Sequence, residues 1–140
     1  MSDMGFTPNL IAADTCLPFR FCYVNGAFQG STASASGAAG GQKTPVGVTD
    51  GSSYQFDKAD HAVAGGPITL QPSNTVQVTA GEAITAGSFL MADATGRAAV
   101  LANLGASTLA VSCYIALEAA GAAGDVIRAY RFGTRYLTGS

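Results

Sequence analysis

The sequence has little charge: Asp, Glu, Lys and Arg together make up 11% of its 140 residues, against about 25% in an ordinary soluble domain. The net charge is −2, and the seven basic residues form no long run. Such a distribution argues against a surface that follows nucleic acid phosphates. Because a sparsely charged surface does little to keep a chain soluble by itself, we expect partners other than nucleic acid to cover part of it.

Long apolar runs are absent as well. No segment approaches the roughly 18 consecutive apolar residues of a membrane-spanning helix. The opening MSDMGFTPNL lacks the basic and apolar regions of a signal peptide. The sequence therefore predicts no membrane partner and synthesis in the cytoplasm.

Residues that carry chemistry are few. Trp is absent, and the three cysteines are odd in number and lack a zinc-binding spacing, so we expect buried thiols in a reducing compartment. The one histidine, His61, lies near Asp57 and Asp60 in FDKADHAVAGG, but this spacing matches no known metal site and favours a solvated loop. No pair of groups suggests acid–base or nucleophilic catalysis. We predict that the chain is not an enzyme and has no catalytic residue, metal or cofactor.

Short apolar segments separated by turn residues dominate the sequence instead. Asn25-Gly26 after FRFCYV is a strong hairpin signal, and DATGR predicts a turn with Gly96 in the left-handed position. In LAVSCYIALE, alternation predicts that one face of a strand is buried; its members are Val111, Cys113, Ile115 and Leu117. Strands are predicted near 19–24, 44–49, 68–71, 75–79, 88–92, 109–117 and 126–132.

These strands predict an all-β fold, a small β-barrel or β-sandwich, with at most a turn or two of helix at 101–106. The order strand, turn, strand, loop, strand, turn occurs twice, in units of about residues 17–51 and 86–119. This order predicts two similar β-units around a shared core. Residues 1–15 show no sustained period and are predicted to form an extended N-terminal arm, followed by a single β domain over 16–140.

Two segments, AGEAITAGSFLMADATGRAAV (80–100) and YIALEAAGAAGDVIRAYRFG (114–133), resemble the small all-β capsid decoration (cement) proteins of tailed bacteriophages. The matching positions are Glu82, Ile84, Gly87, Asp93 and Gly96 in the first segment and Ala116, Leu117, Glu118, Gly124, Asp125 and Ile127 in the second. Tyr114 departs from the pattern, which has Gly there. The resemblance covers about residues 60–133 well and the first β-unit loosely.

The resemblance implies a structural virion protein. Many copies bind the outside of the expanded head and stabilise contacts between major capsid protein subunits, so the major capsid protein is the expected partner. Sparse charge and free edge strands also favour a homo-oligomer, and the resemblance favours a trimer over a dimer. An arm with apolar residues and no core of its own usually orders on a partner, and the alternative that stays open is a disordered terminus. The expected capsid or oligomer contacts are Phe6, Pro8, Leu10, Ile11, Arg131, Arg135 and Tyr136.

Two alternatives remain open. The chain could be another virion component, such as a tail or fibre-base domain. It could also be a small glycan- or ligand-binding β-domain, although the five tyrosines are scattered and there is no Trp to build an aromatic binding platform.

Overall fold

The computed structural model describes residues 10–12, 16–26, 29–32, 45–50, 67–93, 95–102 and 109–138. This part of the chain is all-β, as predicted, with ten strands and no helix. The strands are β1 (Leu10–Ala12), β2 (Phe21–Gly26), β3 (Gln29–Ser31), β4 (Gly47–Val48), β5 (Pro67–Ile68), β6 (Thr75–Thr79), β7 (Phe89–Ala92), β8 (Ala98–Val100), β9 (Leu109–Ala116) and β10 (Val126–Thr138).

The strands form two five-stranded sheets. The first sheet has the order β4-β2-β3-β1-β5, and the second sheet has the order β6-β10-β9-β7-β8. The sheets pack against each other as in a sandwich, and neither closes into a regular barrel. One isolated bridge, Thr49 with Leu70, joins the segment after β5 to the segment after β4.

The two predicted β-units have the same strand connections. In the first unit, β2 and β3 pair as antiparallel neighbours, and β4 returns to pair antiparallel with β2. In the second unit, β7 and β8 form the hairpin and β9 pairs antiparallel with β7. In each β-unit the first strand is therefore central, paired with its hairpin partner on one side and with the third strand on the other.

The main core lies between the two sheets. Phe21 from β2 contacts Tyr114 from β9, with ring centroids 5.3 Å apart. A second cluster lies on the other side of the first sheet, because successive side chains of β2 point to opposite faces and Cys22 points away from the main core. The main core consists of Phe21, Tyr23, Val48, Val76, Val78, Ala80, Ile84, Leu90, Ala92, Ala98, Val111, Cys113, Tyr114, Ala116, Ala120, Ile127 and Ala129; the second cluster consists of Leu10, Ala12, Cys16, Cys22, Ile68 and Leu70.

The burial of β9 differs from the predicted alternation. Val111 and Cys113 are buried in the main core, as predicted. The predicted inward orientation of Ile115 and Leu117 is wrong, because Ile115 is half-buried and Leu117 is exposed. Tyr114, which follows Cys113 in the chain, is buried instead.

An irregular register explains the change. Between the pairs Arg131–Tyr114 and Arg135–Ser112, β10 has three intervening residues and β9 has one. A bulge of this kind bends the strand and re-aims side chains. Cys113 and Tyr114 consequently both face the main core, and Ala116 takes the buried position that the alternation assigned to its neighbours.

Three residues of the predicted arm belong to the folded domain. Leu10–Ala12 form β1, which lies between β3 and β5 and runs parallel to β3. Leu10 and Ala12 are buried in the second cluster. The structure thus differs from the prediction at these residues, because a three-residue strand is too short to show a period in the sequence. Residues 1–9 and 13–15 of the predicted arm lie outside the described residues.

The exposure of Leu117, just after β9, can be checked against Leu90 of β7, which is buried in the main core. Leu90→Ala should lower the free energy of unfolding by about 2–5 kcal/mol, because it leaves a cavity in the main core. Leu117→Ala should change it by less than about 1 kcal/mol, since Leu117 is 51% exposed and Leu90 is 1% exposed. Urea unfolding measures both changes. Equal losses would show that Leu117 is buried after all.

The role of β1 can be checked in the same way with two adjacent residues. Leu10→Ala should cost about 2–5 kcal/mol, because Leu10 packs in the second cluster. Ile11→Ala should cost less than about 1 kcal/mol, because Ile11 is 49% exposed. Thermal unfolding followed by circular dichroism gives both values. A Leu10 variant as stable as the unchanged protein would mean that β1 does not contribute to the fold.

Substitutions at two glycines can distinguish the cost of backbone strain from the cost of a steric clash between the sheets. Gly87 and Gly96 both have positive φ, +89° and +84°, but a Cβ at Gly87 meets no atom within 4 Å, whereas one at Gly96 would lie 2.6 Å from the carbonyl oxygen of Thr32. Gly87→Ala should therefore cost about 1–2 kcal/mol for the left-handed backbone alone. Gly96→Ala should cost about 1–3 kcal/mol more, because the sheets must move apart. Equal losses in urea unfolding would contradict this contact.

Candidate interaction surface

The described residues gather no reacting or metal-binding cluster. No three His, Cys, Asp or Glu side chains among them come together as a metal site. The same residues contain no helix that could span a membrane. His61, Asp57 and Asp60 lie outside the described residues.

Asp93, one of the matching positions of the resemblance, holds the turn between β7 and β8. Its Oδ1 accepts hydrogen bonds from the backbone N–H groups of Thr95 and Arg97, at 2.9 and 3.0 Å, and its Oδ2 accepts one from Arg97 Nε at 3.1 Å. Gly96 in this turn has the left-handed φ that the sequence predicted. Asp93 thus supports backbone, as Asx residues do in turns.

The remaining carboxylates of the resemblance have similar structural roles. Glu82 accepts a hydrogen bond from the N–H of Val100 at 2.8 Å, and Asp125 accepts one from the N–H of Gly121 at 2.9 Å. Glu118 Oε2 accepts two from Arg128, from its N–H at 2.8 Å and from Nε at 3.0 Å. The Arg128 side-chain bond is the main reason that the pKa of Glu118 lies below its usual value. These residues build turns and strand ends.

The edge of the second sheet at β6 is occupied. The side chain of Gln71 acts like a neighbouring strand: its Oε1 accepts from the N–H of Gln77 at 2.8 Å, and its Nε2 donates to the carbonyl of Gln77 at 2.7 Å. The N–H of Thr79 donates to the carbonyl of Phe19 at 2.8 Å. Side chains that close an edge in this way block the addition of a further strand.

The opposite edge, at β8, is occupied as well. The carbonyl of Ala98 accepts from the N–H of Gly81 at 2.7 Å, and the N–H of Val100 is bound by Glu82. The expectation of free edge strands is therefore wrong for β6 and β8, but β6 covers β10 only over Val126–Tyr130.

One face of the second sheet carries exposed apolar side chains. Across the strands, Phe89 pairs with Ile115 and Ile115 pairs with Tyr130, so these three side chains form a row. Phe132 contacts Phe89, with ring centroids 5.1 Å apart. We call this surface the outer face; its apolar members are Phe89, Ile115, Leu117, Val126, Tyr130 and Phe132.

Two charged groups border the apolar side chains of the outer face. At the end near Val126, Arg128 and Glu118 form an ion pair on the surface, with Nε and Oε2 3.0 Å apart. The guanidinium carbon of Arg135 lies 4.5 Å from the ring centroid of Phe89, within the row that Phe89 forms with Ile115 and Tyr130. Arg on an aromatic face is a favourable cation–π contact. The outer face thus combines aromatic residues and arginine, which are enriched in protein interfaces.

The structure separates the predicted contact residues. Leu10 is buried, Ile11 is exposed on the first sheet, and Arg131 points inward, where its Nη1 lies 3.3 Å from the hydroxyl oxygen of Tyr114. Burial raises the pKa of that tyrosine, and Arg131 partly opposes the change. Among the described members of the set, Arg135 alone lies on the outer face, while Tyr136 is exposed on the other side of β10, opposite Val111. Phe6 and Pro8 lie outside the described residues.

The sequence analysis did not identify the outer face, although β10 contains a signal for it. Val126, Arg128 and Tyr130 are exposed and alternate with the buried Ile127 and Ala129. An arginine within one alternating set indicates that this set faces solvent. Strand pairing with β10 would then place Ile115 on the same face.

The chain matches no protein-family model, and no curated protein matches its sequence. Among solved structures, the fold is similar to the N base of head fiber gp8.5 in bacteriophage phi29, with a TM-score of 0.60. The two are 18% identical in sequence, and the match covers 89% of this chain and 91% of that chain. At this identity, the similarity establishes a shared fold over nearly the whole length of both chains.

Proposed function

We propose that the chain is a non-enzymatic structural protein of a bacteriophage virion, located on the exterior of the capsid. The observation that carries the proposal is the fold shared with a head fiber base over 89% of this chain. The resemblance of segments 80–100 and 114–133 to capsid decoration proteins, drawn from sequence alone, supports the same assignment. Four positions of that resemblance stabilise turns or strand ends in this fold, which is consistent with a structural role; they are Asp93, Gly96, Glu118 and Asp125.

Within this role, we propose that the chain decorates the expanded head and stabilises contacts between major capsid protein subunits. A ligand that binds only the assembled shell stabilises that shell by mass action, in proportion to how far its concentration exceeds its dissociation constant. No catalytic group is needed for this effect. The part of the predicted arm that remains a candidate for the capsid contact contains Phe6 and Pro8, because Leu10 is occupied in the second cluster.

A second candidate role is the base of a head fibre. The observation that favours it is that the similar solved structure is itself the N base of a head fiber. The two roles differ in copy number, since a decoration protein covers the shell in many copies and a fibre base occupies only the attachment sites of fibres. Gel densitometry of purified particles, normalised to the major capsid protein, distinguishes them.

Binding to heads tests the proposed function. Purified protein added to expanded heads that lack it should sediment with them to saturation and should raise the temperature at which the heads release DNA. Phe6→Ser should weaken binding if the arm makes the contact, and Val24→Ser, at an exposed apolar residue of the first sheet, serves as the matched control.

The decoration role and the arm contact would be contradicted by different outcomes. Absence of any binding to expanded heads, with the protein folded by circular dichroism, would overturn the decoration role. Saturable binding that Phe6→Ser leaves unchanged would retain the role and exclude the arm as the contact.

A further inference from the structure

We propose that Arg20 and Arg97 together bind an oxyanion, that is, a phosphate or a carboxylate group, beside the turn between β7 and β8. Arg20 directly precedes β2 of the first sheet, and its Nη1 donates a hydrogen bond to the carbonyl of Thr95 at 3.0 Å. Arg97 directly precedes β8 of the second sheet, and its Nε donates to Oδ2 of Asp93 at 3.1 Å. The same turn therefore holds both side chains.

Positive charge exceeds negative charge at this turn. Oδ1 of Asp93 accepts hydrogen bonds from the N–H and the hydroxyl of Thr95 and from the N–H of Arg97, and Oδ2 accepts from Arg97 Nε. The turn thus occupies both oxygens of this carboxylate. None of the ion pairs among the described residues includes Arg20. Two guanidinium groups therefore share one carboxylate.

The guanidinium of Arg20 also has an unmatched donor. Among the described residues, its Nε is the one buried side-chain nitrogen or oxygen atom without a hydrogen-bond partner. A buried donor without an acceptor is unfavourable, and a bound water or ion is a common explanation for one. Burial lowers the pKa of Arg20 and the charge of Arg97 lowers it further, whereas Asp93 raises it. A bound anion would stabilise the charged form of Arg20 against both unfavourable effects.

Two other arginines that lack an ion pair among the described residues are compensated in a different way. The guanidinium carbon of Arg131 lies 5.7 Å from the ring centroid of Tyr114, and that of Arg135 lies 4.5 Å from the ring centroid of Phe89. The negative face of an aromatic ring attracts a guanidinium charge. Arg20 makes no such contact with a described residue. This difference distinguishes Arg20 as the arginine that an anion would compensate.

The remaining donors of the two arginines match an oxyanion. Nη2 of Arg20 and both Nη atoms of Arg97 donate to no described residue. The side chain of Arg97 is 34% exposed, so solutes can reach it. A guanidinium presents its N–H groups as a planar fork, which binds two oxygens of a phosphate or carboxylate group at once. Chloride, a single atom, cannot make this paired contact.

A phosphate titration followed by NMR tests the two arginines directly. The arginine Nε–H signals of isotope-labelled protein are recorded while sodium phosphate replaces sodium chloride at constant ionic strength. The Arg20 and Arg97 signals should shift saturably, with a dissociation constant on the order of 1–10 mM, as expected for a small anion held by a few charged hydrogen bonds. The Nε–H of Arg128, which already binds Glu118, should not shift. Sodium acetate serves as the carboxylate probe, and the tighter anion distinguishes free phosphate from a protein carboxylate as the ligand.

Matched substitutions distinguish this binding from a general salt effect. Arg20→Gln, followed by the Arg97 signal, should weaken binding of phosphate by about tenfold or more, because a charged donor is lost. Arg97→Gln, followed by the Arg20 signal, should do the same and decides the test if Arg20→Gln does not fold. Arg135→Gln removes the same charge at the arginine that lies on Phe89 and should leave binding unchanged.

Three outcomes would overturn the proposal. They are equal shifts of all the arginine signals, no saturable shift with either anion, and binding that neither Arg20→Gln nor Arg97→Gln weakens. The titration contains no phage heads, so its failure leaves the proposed virion role untouched.

Discussion

The packing of the two sheets depends on a three-residue segment, 19–21, that is hydrogen-bonded to both of them. Phe19 has a left-handed backbone with φ of 57°, which costs a non-glycine residue about 1–2 kcal/mol. Its N–H donates to the carbonyl of Thr49, and its carbonyl accepts from Thr79 in the second sheet. Two residues later, the N–H of Phe21 donates to the carbonyl of Gly96, at 2.8 Å. This segment therefore hydrogen-bonds the first sheet to the second beside Phe21 of the main core.

The close approach at this segment explains why the turn between β7 and β8 has its sequence. A residue with a Cβ at position 96 would collide with the backbone of Thr32, so the turn requires glycine for space as well as for its φ. Asp93 then fixes the turn from within, by accepting backbone hydrogen bonds that water would otherwise make. The turn is thus both the end of a hairpin and the contact by which the second β-unit meets the first.

The fold was predictable from the sequence wherever the signal was local. Alternation and the Gly96 turn depend on neighbouring residues, and the all-β class followed from them. Asn25-Gly26 indicated the β2–β3 hairpin but not its turn, since both residues belong to β2 and Gly26 pairs with Gln29. Features that depend on pairing between distant strands were not predictable. The orientation of Ile115 and Leu117 is set by a bulge in β10, and the burial of Leu10 is set by β3 and β5. Between the pairs on either side of the bulge, β10 has two more residues than β9, and no local pattern in the sequence of β9 marks this irregularity in its partner.

The same bulge also determines what the surface can do. Before it, Arg131 points inward to Tyr114; after it, Arg135 lies outward on Phe89, although the two arginines are only four residues apart. Carboxylates elsewhere are engaged by turns and strand ends, as Asp125 and Glu82 are, so few charges remain on the rest of the second sheet. The outer face thus keeps exposed apolar side chains next to one ion pair and the Arg135 guanidinium on Phe89. Apolar surface exposed to water is unfavourable, so covering this face would be favourable.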